Sequence, residues 1–202
     1  YFTDALDMYQ QLEGPENRHV SEVLSNLGVV YTLQEPPDLI AAEDVTRRPI
    51  AMQLKILGDD HPFVASNHHN LGALYYDLGK FTDARSELEK AIELRKKLYG
   101  ERAMSAANSM NKLSQVLLEQ GELTQAETIL LEAIEIHTEG YGGPHGRIGH
   151  DLHMLGLVQA RQGRIQDARD TLESSVAMLE STVPEDHFLL VNAQQALDEL
   201  SL

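Results

Sequence analysis

A 42-residue period runs through this chain and leaves few folds open to it. Glycines in turn-like settings stand at 79, 121 and 163, and both 121 − 79 and 163 − 121 give 42. Ala42, Ala84, Ala126 and Ala168 keep the same spacing, as do Leu71, Leu113 and Leu155, while Leu27 lies 44 before Leu71. The two extra residues fall at the Glu35-Pro36-Pro37 turn of the first copy. Columns kept in register at such a period mark stacked supersecondary units, none of which can bury its apolar face alone. The expected fold is all-α, a solenoid of antiparallel helix pairs.

Residues 58–100 form the clearest copy, two helical patterns joined at Gly79 with a polar loop on either side. Leu71, Leu74 and Tyr75 fall at i, i+3 and i+4, an apolar stripe on the first helix. Leu88, Ile92 and Leu98 give the matching stripe on the second. Gly72, Ala84 and Ala91 are small where the helices approach most closely. Gly79, Gly121 and Gly163 supply the positive φ that ends a first helix. In this register a single domain of 1–202 divides into a partial second helix (1–14), repeats over 15–58, 59–100, 101–142 and 143–184, and a terminal or capping helix (185–202). Tyr1 opens inside a helical pattern without an initiator Met, so a piece of a longer chain is expected. Pro49 shares the column of Ala91, Ala133 and Ser175, in mid-helix. An interior proline removes a hydrogen bond at a cost of about 3 kcal/mol, so a kink or break is expected near residues 47–49.

Composition narrows the function. The net charge is −16, from 32 acidic against 16 basic residues. Nucleic acid calls for a basic footprint and anionic membranes attract basic segments, so neither is an expected partner. An acidic surface keeps the chain soluble and favours a basic protein partner. The absence of cysteine excludes disulfides, thiolate metal sites and cysteine nucleophiles. No apolar run approaches the roughly 20 residues that span a bilayer, so membrane insertion is not expected. Nothing argues for secretion, and a cytoplasmic location is expected.

The columns resemble the tetratricopeptide repeat, whose usual unit is about 34 residues. Leu57-Gly58-Asp59-Asp60-His61-Pro62, Val64-Ala65, Asn70-Leu71-Gly72 and Ala91-Ile92-Glu93-Leu94 are similar to the longer repeats of kinesin light chains and nephrocystin-3-like proteins. The same subclass closes many nucleotide-binding signalling proteins. Val20-Ser21 with Asn26-Leu27-Gly28, and Ala133-Ile134-Glu135-Ile136, are weaker copies. The resemblance implies a right-handed superhelix whose first helices line a concave groove that holds an extended peptide. In that family, paired asparagines ahead of the leucine grip the peptide backbone, since an amide both donates and accepts. Asn26 and Asn70 match the second of the pair and Asn111 the first; Lys112 and Met154 replace the second, and Ser25, His69 and His153 the first.

Helical spacing adds further groove columns: Glu22, Ser66, Asn108 and His150; Val29, Ala73, Gln115 and Leu157; and Asp77, Glu119 and Arg161. The candidate peptide-binding residues are therefore Asn26, Ser66, His69, Asn70, Asn108, Asn111, Lys112, Gln115, His150, His153 and Arg161. His150 and His153, at i and i+3, have a spacing that can bring two imidazoles to one metal, but no third ligand is close, so no metal or cofactor is expected. His68 stands where a large core residue is usual and is expected to be partly buried. His61, His145 and His187 recur between repeats beside Pro62, Pro144 and Pro184, which points to helix-start geometry. Gly142-Gly143-Pro144-His145-Gly146 lacks the preceding strand and following Lys of a phosphate loop. No HExxH or GxSxG occurs, and no catalytic residues are assigned.

The expected function is a non-enzymatic protein-interaction scaffold that grips an extended segment of a partner. The alternative is a repeat sensor or assembly region of a larger signalling or multi-subunit complex, with self-association through exposed repeat ends and any enzymatic activity elsewhere.

Overall fold

The structure, a computed structural model, describes residues 2–34 and 38–200; the turn expected at Glu35-Pro36-Pro37 lies outside them. Among the described residues the chain forms ten α-helices: α1 Phe2–Glu13, α2 Arg18–Thr32, α3 Leu39–Leu57, α4 Pro62–Asp77, α5 Phe81–Tyr99, α6 Met104–Gln120, α7 Leu123–Tyr141, α8 Gly146–Arg161, α9 Ile165–Glu180 and α10 Phe188–Glu199. Helices α1 to α5 make one compact unit and α6 to α10 a second. In the first, α2 packs antiparallel on α3 and α4 on α5; α1 lies on α2, α3 on α4, and α2 runs alongside α4. In the second, α6 pairs with α7 and α8 with α9; α7 lies on α8, α10 on α9, and α6 runs alongside α8.

The turn inside a pair is built identically three times. The Gly79 N–H donates to the Tyr76 carbonyl (2.9 Å) and the Lys80 N–H to the Tyr75 carbonyl (2.8 Å). Gly121 with Glu122, and Gly163 with Arg164, repeat both bonds. The three glycines have φ of +70°, +76° and +79°, a left-handed conformation that any Cβ would strain. A second glycine register was not used in reading the sequence: Gly58, Gly100 and Gly142, also 42 apart, close the second helices with φ of +81°, +91° and +65°.

Between the turns, small and large columns interlock. A Cβ on Gly72 would come within 2.6 Å of Leu88 Cγ and 3.1 Å of the Ala84 carbonyl oxygen, and one on Gly156 within 2.6 Å of Leu172 Cγ. Leu88, Leu130 and Leu172 are wholly buried, as are Ala84, Ala126 and Ala168. The close approach of α4 to α5 and of α8 to α9 therefore depends on a missing side chain facing a leucine, while Gly28 faces Thr46 in the first pair and Ser114 takes the glycine's place in the third.

The break expected at Pro49 does not occur. Helix α3 runs unbroken from Leu39 to Leu57 through Pro49, whose ring is buried on the same face as Val45 and Met52. The ring deprives the Val45 carbonyl of its helical donor, but its burial in the column of Ala91 and Ala133 offsets that loss. Pro49→Ala should restore the donor and raise the unfolding free energy by about 1–2 kcal/mol. The gain falls short of the full helix-interior penalty because ring packing and unfolded-chain rigidity are lost. Urea denaturation checks this; a less stable variant would mean that ring packing outweighs the restored bond.

Candidate functional site

In the first unit, the neighbouring first helices α2 and α4 enclose an open cleft of about 520 Å³. Both helices start under firm control. Asn17 Oδ1 accepts the Val20 N–H at 2.9 Å while its amide donates to the Gly14 carbonyl at 2.7 Å. Helix α4 opens on Pro62, with His61 Nδ1 accepting the Phe63 N–H at 3.2 Å. The cleft floor is a hydrogen-bonded chain of buried and half-buried side chains. Ser25 Oγ donates to Asn67 Oδ1 (2.8 Å), and Asn67 Nδ2 donates to Gln53 Oε1 (2.8 Å). Above it stand Asn26, Ser66 and Asn70, with Arg18, Glu22 and Phe63 at the helix starts. The Arg18 guanidinium lies over the Phe63 ring, 5.4 Å from its centroid, and its Nε is 2.8 Å from Glu22 Oε1. That pair cancels the charge at this end. A smaller recess of about 90 Å³ continues along the same helices past Gly28, Val29, Ala73 and Asp77, with Asn70 lining both.

The second unit carries a different chemistry at the same register positions. Asn111, only 6% exposed, donates its amide to Asp151 Oδ1 at 2.6 Å. His137 Nδ1, reaching from α7, lies 2.6 Å from Asp151 Oδ2 and donates to the carboxylate. This network is the counterpart of the one on the cleft floor: Ser25, Gln53 and Asn67 occupy the columns of Asn111, His137 and Asp151. Gln115 Nε2 donates to Asn111 Oδ1 (3.2 Å), and Lys112 Nζ to Gln115 Oε1 (3.3 Å). Asn108 Oδ1 is buried and has no hydrogen-bond partner among the described residues. On α8 the His150 and His153 ring centroids are 6.5 Å apart. Burial lowers the pKa of both. His153, 8% exposed and beside His150, is pushed down to about 4. For His150, Asp151 opposes the shift while Arg147, Lys112 and His137 add to it.

The structure thus gathers Asn26, Ser66 and Asn70 around one cleft. It links Asn111, Gln115 and Lys112 by hydrogen bonds and sets His150 beside His153. His69 is half-buried on α4 and does not line the cleft; Arg161 is exposed at the end of α8. Asn111, a groove candidate by its column, has its carboxamide committed within the protein. His68 is half-buried, with Nδ1 2.6 Å from Glu87 Oε2. His61, His145 and His187 each cap a helix through Nδ1, accepting from Phe63, Arg147 and Leu189 at 3.2, 3.1 and 3.3 Å. Sequence reading missed the buried polar links. Their signal was a run of polar residues, Asn67, Ser109 and Asp151, in a column spaced like the core.

The tetratricopeptide repeat family model matches residues 50–97 and 105–181. The chain belongs to this family. Tetratricopeptide domains are in general protein-interaction modules, and among solved structures several share this fold. TPR-like repeats described as those of a kinesin light chain from Podosopora anserina are 21% identical with a TM-score of 0.73, covering 89% of this chain and 84% of that one. BtubC (BKLC) from P. vanneervenii is 19% identical with a TM-score of 0.78, covering 92% and 74%. MamA is 19% identical with a TM-score of 0.63, covering 88% and 86%. At such identity the likeness is one of fold. No curated protein matches the sequence. Among the described residues no three His, Asp or Glu side chains converge as metal ligands, and no helix is long and apolar enough to cross a membrane.

Two outcomes follow from these tetratricopeptide helices. Asn111→Ala removes a donor from buried Asp151 and should destabilise the protein by about 1–3 kcal/mol, measurable by urea melts. His153 holds its proton more weakly folded than unfolded. As pH falls below about 6.5 the unfolded chain takes up the proton first, and stability declines until the folded ring protonates near pH 4. His153→Leu should flatten that decline by up to about 3 kcal/mol in melts compared at the two ends of this range.

Proposed function

We propose that the inner face of the first helices holds an extended segment of another protein and that the domain has no catalytic activity of its own. The observation that carries this reading is the α2/α4 cleft, where Asn26 and Asn70 present carboxamides from neighbouring helices above a floor already satisfied by hydrogen bonds. A carboxamide both donates and accepts, as a peptide group does, and so suits an extended backbone of many sequences. The charge at the cleft's one basic residue is balanced by Glu22. The net charge of −16 then acts on a basic partner at long range, in the encounter, more than in the grip.

A second reading, assembly with further repeats or within a larger signalling complex, is favoured by apolar side chains on the outermost helices. Leu12 on α1 is 72% exposed and Phe188 on α10 is 64% exposed.

Peptides selected on the chain from a displayed random library serve as the probe for the cleft. Asn26→Ala with Asn70→Ala should weaken their binding by about tenfold, as expected for two lost hydrogen bonds, while thermal melting stays unchanged. Association of a basic peptide should slow between ~50 and ~500 mM NaCl while its dissociation rate varies less than about threefold, because the ion pair at the contact is balanced. Full affinity in the double variant would reject the cleft as the binding site.

A further inference from the structure

Helix α8 gathers more histidine chemistry than its neighbours. His145 caps it, with Nδ1 accepting the Arg147 N–H at 3.1 Å and the ring stacked on Tyr141, centroids 3.6 Å apart. His150 and His153 follow within the helix, and His137 reaches it from α7. At the first three positions the neutral ring is the form that fits. A proton on His145 Nδ1 would abolish the acceptor and set a cation at the positive end of the helix dipole. Protons on His150 and His153 would place two cations side by side where water is largely excluded.

The surroundings do not compensate. Lys112 from α6, Arg147 in the first turn of α8 and His137 from α7 all act against a charged His150, and Asp151 acts for it. That carboxylate is already occupied by Asn111 and His137, each at 2.6 Å. Helix α9 meets α8 with Leu172, Leu179 and Ser175, and α10 adds Leu190 and Ala193 against Leu179, none of them titratable. The depressed proton affinities of His150 and His153 agree with this setting. Helix α4 is the internal contrast. It too has a histidine cap, His61, and a half-buried His69, but its His68 lies 2.6 Å from the Glu87 carboxylate.

We propose that α8 is an acid-operated element, which loosens at its His145 start and along the His150–His153 turn as pH falls from about 7 towards about 5, so that the α6/α8 face lets go of what it holds. Only the last step rests on the inner face being the peptide site. The joint between α7 and α8 is the hydrogen bond from His137 Nδ1 to Asp151, which the proposed change does not involve.

Amide hydrogen exchange read by mass spectrometry, on the whole chain at pH ~7.4 and ~5.4 and corrected for intrinsic rates, tests the switch without any ligand. Protection of α8 should fall about tenfold more than that of α4, the equivalent of one proton-affinity unit. H145N combined with H150Q and H153Q should abolish the difference, since Asn still caps and Gln cannot charge. If that variant does not fold, H145N alone should remove the loss at the first turn of α8. Equal behaviour of α8 and α4 in the native chain, a loss that survives in the triple variant, or a first-turn loss that survives in H145N would overturn the proposal. Peptides selected at pH ~7.4 on the native chain should elute from it at pH ~5.4, whereas peptides selected on the triple variant itself should stay bound to it. Retention on the native chain despite a loosened α8 would overturn the release step. A loosened α8 on a chain for which no peptide can be selected would count against the peptide reading and leave the switch standing.

Discussion

Within each unit, buried hydrogen bonds between its two helix pairs set the spacing of the first helices. Apolar ridges alone tolerate a small slip of one helix along another, because one methyl group replaces another at little cost. A buried carboxamide or carboxylate does not, since losing its partner leaves a desolvated polar group costing about 1–3 kcal/mol. In the first unit, Asn67 is held by Ser25 and Gln53; in the second, Asp151 is held by Asn111 and His137. Each link joins a first helix to both helices of the preceding pair. The spacing of α2 from α4, and of α6 from α8, is thereby pinned at the level where the candidate binding residues stand.

The two links use one geometry and different chemistry. Neutral amides and a hydroxyl close the first, while a carboxamide, an imidazole and a carboxylate close the second. The same division appears at the surface above them. The α2/α4 cleft is lined by carboxamides and a balanced ion pair, and α6 with α8 presents Lys112 and His150. A tetratricopeptide scaffold permits this because its backbone path needs only the small-residue, leucine and glycine columns, leaving the inner positions open to change.

Those columns were legible in the sequence because each reports a backbone or packing necessity. A glycine at positive φ and a glycine against a leucine have few substitutes, so the period could be read directly. The helix pairs followed from it. The break expected at Pro49 is absent; the proline's intrinsic cost is visible in sequence, whereas the burial of its ring is not. Asn111 shows the limit at the site. A polar residue on a first helix is read as facing the groove, but its partner Asp151 lies 40 residues on and appears only when α6 and α8 are set side by side. Asn26 and Asn70, by contrast, line the cleft between α2 and α4.

The repeated turn within each pair has a consequence for the outer surface. Its two backbone bonds and one positive φ fix how a second helix returns along the first, with no contribution from the side chains facing solvent. The outer helices have diverged in charge accordingly. Helix α5 carries five basic and four acidic residues, whereas α7 carries four glutamates and no lysine or arginine. The backbone trace is indifferent to that difference, so the outer helices can be recoloured electrostatically, helix by helix, while the inner face keeps its register.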